Sequence, residues 1–111
     1  MKVHQQRHGA VILLKPDGPL IETAAGQFDQ AARATMTATL GRFVVDMSAV
    51  PFVDSMGLEA LLDLTDLLEQ SGKVLKLCGV NKTVRHVFEL TEIDSLFDHF
   101  DDVNSAVRSF L

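Results

Sequence analysis

Three short apolar runs constrain this chain more than any other feature: Val11-Ile12-Leu13-Leu14, Phe43-Val44-Val45-Asp46-Met47-Ser48 and Val74-Leu75-Lys76-Leu77-Cys78-Gly79-Val80. Short apolar runs rich in β-branched residues and bounded by turn residues read as strands. The second is apolar on both faces at its start, as an internal strand of a parallel sheet is. Lys15-Pro16-Asp17-Gly18 supplies turn chemistry after the first. The intervening segments read as helices. Glu22 to Leu40 is alanine-rich and proline-free with Gly41 as a stop, and Ser55 to Ser71 is leucine-rich and closed by Gly72. Asn81 to Thr91 reads as a short helix with Asn81 as N-cap and Val84, Val87, Phe88 and Leu90 as its apolar residues. Leu96 to Phe100 fits a short edge strand. Asp101 to Leu111 fits a closing helix whose acidic pair suits the N-terminal dipole. Lys2 to His8 is polar and fits either an edge strand or a loose tail. Regular alternation of this kind predicts one α/β domain over residues 1–111, with a mostly parallel sheet of about four to five strands, right-handed crossovers and four helices.

Composition narrows the function classes. Hydrophobic residues are 47% and charged residues 23% of the chain, an ordinary globular balance. The net charge of −5 and the lack of any Lys/Arg run leave little for counterion release, so nucleic acid is not expected as a partner. One cysteine, Cys78, permits no internal disulfide and has no zinc spacing; in a buried strand it reads as a small core residue. The apolar stretch Ala10 to Leu14 is too short for a signal peptide, and no segment approaches a spanning helix. A cytoplasmic protein without direct membrane insertion is expected. No cofactor is expected either, because neither a Walker nor a G-x-G-x-x-G sequence is present.

Functional information concentrates between Val44 and Leu58. A buried strand runs into the loop Ala49-Val50-Pro51-Phe52-Val53, which delivers Asp54-Ser55 to the first turn of the leucine-rich helix. A strand-to-helix junction is where parallel α/β domains place functional groups. A helix N-terminus offers free N–H groups and partial positive charge, so a phosphoryl group on Ser55 would be well placed there. Ser and Asp are among the commonest caps, so the residues alone favour reading Asp54 or Ser55 as only an N-cap, although Leu58 stands where a capping box would have Glu.

Asp46-Met47-Ser48 followed by Phe52-Val53-Asp54-Ser55-Met56-Gly57-Leu58 resembles the STAS signature, in which a D-L-S-type strand end leads to D-S-x-G-L. Gly18-Pro19-Leu20 is similar to that family's G-x-L turn, Val84 to Leu90 to its V-x-x-x-F/L helix, and Asp101 to Val107 to its closing helix. The resemblance covers about nine-tenths of the chain. It implies a non-enzymatic partner-switching regulator like the bacterial anti-sigma-factor antagonists. Unphosphorylated, such a protein binds an anti-sigma factor or serine-protein kinase; phosphorylation of Ser55 weakens that complex and a phosphatase restores it. The expected partner surface comprises Leu20, Ile21, Asp54, Met56, Gly57, Glu59 and Leu67. Two departures stand out. Ile21 replaces the family's usual Asp or Thr, a position facing the partner, and Thr91-Glu92-Ile93 replaces Ser/Thr-Gly-Leu, which is expected to reshape the exit of the third helix. Some members of the family instead serve as subunits of transporters or lipid-trafficking complexes, without a phosphorylation cycle. Nothing in the residues fixes an oligomeric state, a weak dimer included.

Other readings meet specific obstacles. Val53-Asp54-Ser55-Met56-Gly57 lacks the first glycine of a hydrolase nucleophile elbow, whatever His86 and His99 could reach. A response-regulator receiver, with Asp46 as phosphoacceptor, would need an acidic pair after its first strand, where this chain has Leu14-Lys15-Pro16-Asp17. His4 and His8 have a helical metal spacing but no supporting ligand. On the second helix, Leu58, Leu61, Leu62, Thr65 and Leu68 suffice for a sheet-facing core, which leaves Met56, Ala60 and Leu67 as a separate apolar stripe beginning beside Ser55. Either the neighbouring helix covers that stripe or it is an exposed ridge for the partner.

Overall fold

The computed structural model describes residues 1–111. The elements follow in the order β1 (Lys2–His8), β2 (Val11–Asp17), α1 (Glu22–Thr39), β3 (Phe43–Asp46), α2 (Ser55–Glu69), β4 (Leu75–Cys78), α3 (Lys82–Leu90), a 3₁₀ turn (Asp94–Leu96), β5 (Phe97–Phe100) and α4 (Val103–Arg108). The five strands lie side by side in chain order. β1 is antiparallel to β2, and β2 through β5 are parallel. Successive right-handed crossovers in one direction put α1, α2 and α3 on the same face of the sheet. There Leu14, Phe43, Val45, Met47, Leu75 and Leu77 meet Phe28, Leu61, Leu64 and Phe88. The opposite face is smaller: Val11, Leu13, Val44 and Cys78 are sealed by Ala106 of α4. β3 is buried at every position because it lies between both layers.

Several sequence expectations resolve or change. Lys2 to His8 is an edge strand, with its full length paired to β2. The turn foreseen at Lys15-Pro16-Asp17 is instead the second half of β2. Pro16 is tolerated because β2 pairs with β3 only from Ile12 to Leu14; beyond that, one side of the strand is unpaired, as on an edge. At the exit of α3, Glu92 adopts φ +61°, a left-handed conformation that favours glycine, and Ile93 N–H bonds back to Phe88 O. Such a conformation costs a non-glycine residue about 1–2 kcal/mol. The closing helix is short, Val103–Arg108 where Asp101 to Leu111 was expected, with Asp102 as its N-cap accepting from Ser105 N–H at 2.7 Å.

The apolar arc of α2 is wide because two neighbours bury it. Leu61, Leu64, Thr65 and Leu68 are buried in the core, while Leu58 and Leu62 are only half-buried. Leu64 belongs to the core although the sheet-facing stripe was complete without it. α1 runs alongside and covers Ala60, leaving it 6% exposed. The stripe Met56–Ala60–Leu67 is therefore interrupted, not a continuous ridge. Leu67 lies at the far end of α2 from Ser55, half-buried in a groove with Met36, Leu40 and Lys73. Leu64→Ala should cost about 2–5 kcal/mol of unfolding free energy in urea titrations. Leu67→Ser should cost distinctly less, since less of its side chain is packed.

Candidate functional site

The site is built where β3 leaves the sheet. Asp46 is buried, and its Oδ1 accepts from Ser48 N–H at 3.0 Å, turning the chain. Met47 N–H continues the pairing toward β4 by donating to Cys78 O at 2.8 Å. The chain then crosses to the β2–α1 connection. Leu20 and Val53 form a parallel bridge, Leu20 N–H donates to Phe52 O at 3.1 Å, and Asp54 N–H to Leu20 O at 3.4 Å. These bonds set Asp54 at the head of α2 with an extended backbone, as an N-cap requires.

Both oxygens of Asp54 are engaged. Oδ1 accepts from Gly57 N–H at 2.9 Å, capping α2, and Oδ2 accepts from Glu22 N–H at 3.0 Å, capping α1. One carboxylate thus ties together two helix N-termini, where partial positive charge favours an anion. The Gly57 N–H is the main cause that holds the Asp54 carboxyl below the ordinary 3.8; partial desolvation opposes it, and the N–H groups of Glu22 and Met56 add to it. Gly57 is required for a different reason. A Cβ there would stand 2.1 Å from the carbonyl oxygen of Leu20, so only glycine lets the first turn of α2 approach this backbone.

Ser55, the first residue of α2, is exposed beside this cap. Exposed apolar groups flank it: Phe52 is 47% and Met56 50% accessible. Ile21 and Val53 are half-buried, and Glu22 and Glu59 are exposed. A shallow groove between α1 and α2 begins at Met56 and runs past Gly26, Glu59, Ala60 and Asp63. Of the residues expected at the partner surface, Ile21, Met56 and Glu59 therefore reach solvent near Ser55. Leu20 does not: it is fully buried, and its role is to supply backbone groups to the loop. Gly57 is likewise buried, as a point of close backbone approach. Asp54 is half-exposed but its oxygens are spent on the two helices, and Leu67 is at the other end of α2.

The remaining candidates fall elsewhere. His4 and His8 lie on a strand, with His4 Nε2 3.5 Å from Asp17. His99 packs against Phe88 and Phe97 with its Nε2 3.0 Å from Asp94, and His86 is exposed on α3. Burial, and after it the nearby Asp46, pushes the Cys78 thiol up to about 12, so it is a packing group and not a nucleophile. The receiver reading fails on topology and on ligands. Receivers have the strand order 2-1-3-4-5, whereas here the order is sequential with an antiparallel first strand. No three His, Cys, Asp or Glu side chains converge to hold a metal, at Asp46 or anywhere else.

Residues 2–106 match the family model of the STAS domain. The chain belongs to the STAS domain family. A Bordetella bronchiseptica protein, BtrV, described as a candidate anti-sigma factor antagonist, is 29% identical over 104 residues, covering 86% of this chain and 90% of its own. The crystal structure of a candidate anti-sigma factor antagonist from Thermotoga maritima superposes with a TM-score of 0.87 at 20% identity, over 96% of this chain and 92% of that one. The phosphorylated form of the Bacillus cell-fate determinant SpoIIAA gives 0.72 at 16% identity, over 99% and 100%. These last two likenesses concern the fold.

Within the family pattern, the departure at Ile21 now has a physical reading. Ile21 stands at the N-cap of α1 and offers no side-chain acceptor. The Asp54 carboxylate caps α1 from the head of α2. One residue escaped the sequence reading. Asn81 was recognisable as an N-cap, but its amide also donates to Val50 O and Pro51 O in the Ser55 loop, a contact that no sequence spacing reports.

Two outcomes follow. Gly57→Ala should lose about 1–3 kcal/mol of stability, as overpacking does, because the atom opposing the new methyl is backbone and cannot swing away; urea unfolding measures it. For Asp54, the depressed carboxyl means a stabilising contribution that is fully present above the unfolded value. It is lost as pH falls from about 3.8 through the lower folded value. Asp102, lowered chiefly by Ser105 N–H, acts in the same direction. Asp54→Asn should therefore flatten, without abolishing, the acid side of the stability-versus-pH curve.

Proposed function

We propose that this STAS domain is an anti-sigma-factor antagonist whose partner binding is switched off by phosphorylation of Ser55. The observation that carries the reading is the placement of Ser55. It is an exposed hydroxyl at the first position of α2, between two exposed apolar side chains, on a loop held by backbone bonds. The description of BtrV as a candidate anti-sigma factor antagonist supports the antagonist role. In this reading the unphosphorylated protein binds a cognate anti-sigma factor with serine-kinase activity, burying Phe52 and Met56 with Ile21 and Glu59 at the margin. It catalyses nothing itself. A phosphoryl group adds about −1.5 to −2 charges and three acceptors at the centre of that surface. Docking would then require desolvating a dianion together with the apolar groups beside it. Asp54 adds a neighbouring negative charge that cannot turn away without releasing two helix caps. A phosphatase acting on Ser55 restores the binding form.

Two measurements test the proposal. Intact-mass analysis of the protein purified from its native host should show a species heavier by about 80 Da, one phosphoryl group, mapped to Ser55. In calorimetry with the cognate partner, Ser55→Ala should bind like the unsubstituted protein. Ser55→Asp should bind roughly tenfold or more weakly, about 1.4 kcal/mol, a partial effect because one carboxylate carries less charge than phosphate. Equal binding by the two variants would sink the electrostatic switch. A lack of any phosphorylated species would favour an accessory role in a larger complex.

A further inference from the structure

The loop from Ala49 to Phe52 carries the chain to Ser55, and each of its four carbonyls accepts a hydrogen bond from another part of the molecule. The outer two are held by the β2–α1 connection: Gly18 N–H donates to Ala49 O and Leu20 N–H to Phe52 O, both at 3.1 Å. The inner two are held by one side chain. Nδ2 of Asn81 donates to Val50 O at 3.1 Å and to Pro51 O at 3.2 Å. Oδ1 of the same amide accepts from Val84 N–H at 2.8 Å and so caps α3. Pro51 has no N–H of its own, which leaves its carbonyl as the only backbone hydrogen-bonding group at that position.

Capping alone does not call for asparagine, because Ser and Asp cap about equally well. Only an amide combines an acceptor for the helix with two donors for the loop; a hydroxyl has one donor, and a carboxylate has none. We infer that Asn81 is a positioning residue for Ser55, locking the inner half of the loop to the head of α3 so that Ser55, Phe52 and Met56 hold one arrangement. The consequence for switching rests on the reading of Ser55 proposed above; the mechanical coupling does not. α3 thereby becomes part of the Ser55 site through its N-cap residue.

The test is amide hydrogen exchange followed by NMR on Asn81→Ser, which keeps a hydroxyl acceptor for Val84 N–H but removes the paired donors. The Gly18, Leu20 and Val50 amides, which report on the loop, should exchange about fivefold faster, the equivalent of one hydrogen bond. Those of Val84 and Arg85, which report on the cap, should stay within about twofold. Asn81→Ala, which removes both functions, should accelerate both sets. Unchanged loop amides in Asn81→Ser, or loop and cap amides accelerating in step, would overturn the inference. In the native host, the fraction of protein phosphorylated on Ser55 should fall at least about threefold in Asn81→Ser, since the hydroxyl is no longer held in place. A loosened loop with an unchanged phosphorylated fraction would overturn the positioning role. If the unsubstituted protein carries no phosphate on Ser55, the switch reading fails, and the exchange comparison still decides the part played by Asn81.

Discussion

The Asp54 carboxylate is the interaction on which the site is built. Its two oxygens satisfy N–H groups at the starts of α1 and α2, helices that follow different strands and have no covalent reason to begin at the same place. Because Ile21, the N-cap of α1, has no side-chain acceptor, this cap comes from the head of the neighbouring helix on the same face of the sheet. Glu22 contributes by adopting φ +50°, a left-handed conformation that a non-glycine residue reaches only at some cost. The geometry that results leaves Ser55 outside the network and next to it.

Around this anchor the backbone is packed unusually close. Gly57 lets α2 approach the Leu20 carbonyl, and the Leu20–Val53 bridge extends strand-like pairing past the end of β3. The connections from β2 to α1 and from β3 to α2 therefore form one unit, held on its far side by Asn81. Surface loops are commonly the most mobile parts of a domain. This one has all four carbonyls from Ala49 to Phe52 hydrogen-bonded, without the geometry of a regular element. The switch proposed for Ser55 would benefit from that, because the effect of an added charge depends on which groups stay beside it.

Much of the architecture was legible in the chain. The three apolar runs became β2, β3 and β4, and the helices at Glu22, Ser55 and Asn81 began within a residue of their expected starts, because capping residues and apolar periodicity are local signals. The D-S-x-G-L stretch marked the start of α2, where the Asp54 cap and Ser55 stand. What misled the sequence reading was mostly a matter of neighbours. Leu20 looked like a surface turn residue and is fully buried. Pro16 looked like a strand terminator and sits inside β2, since its lack of an N–H matters only where a second strand would pair. Ala60 and Leu67 looked like one stripe, yet α1 covers the first and the length of the helix separates the second from Ser55.

By itself the sequence determined the succession of strands and helices, the parallel character of the sheet, and the position of Ser55 at a helix start; each depends on residues close together in the chain. The tertiary structure alone decided which of the residues near Ser55 are reachable from solvent. It also decided that Asp54 serves two helices and that Asn81 reaches the loop some thirty positions before it. Those facts arise from hydrogen bonds between segments distant in sequence. A carboxylate or an amide is written the same way in the chain whether it meets one partner or three, and only the packing of α1, α2 and α3 on one face of the sheet brings the additional partners within reach.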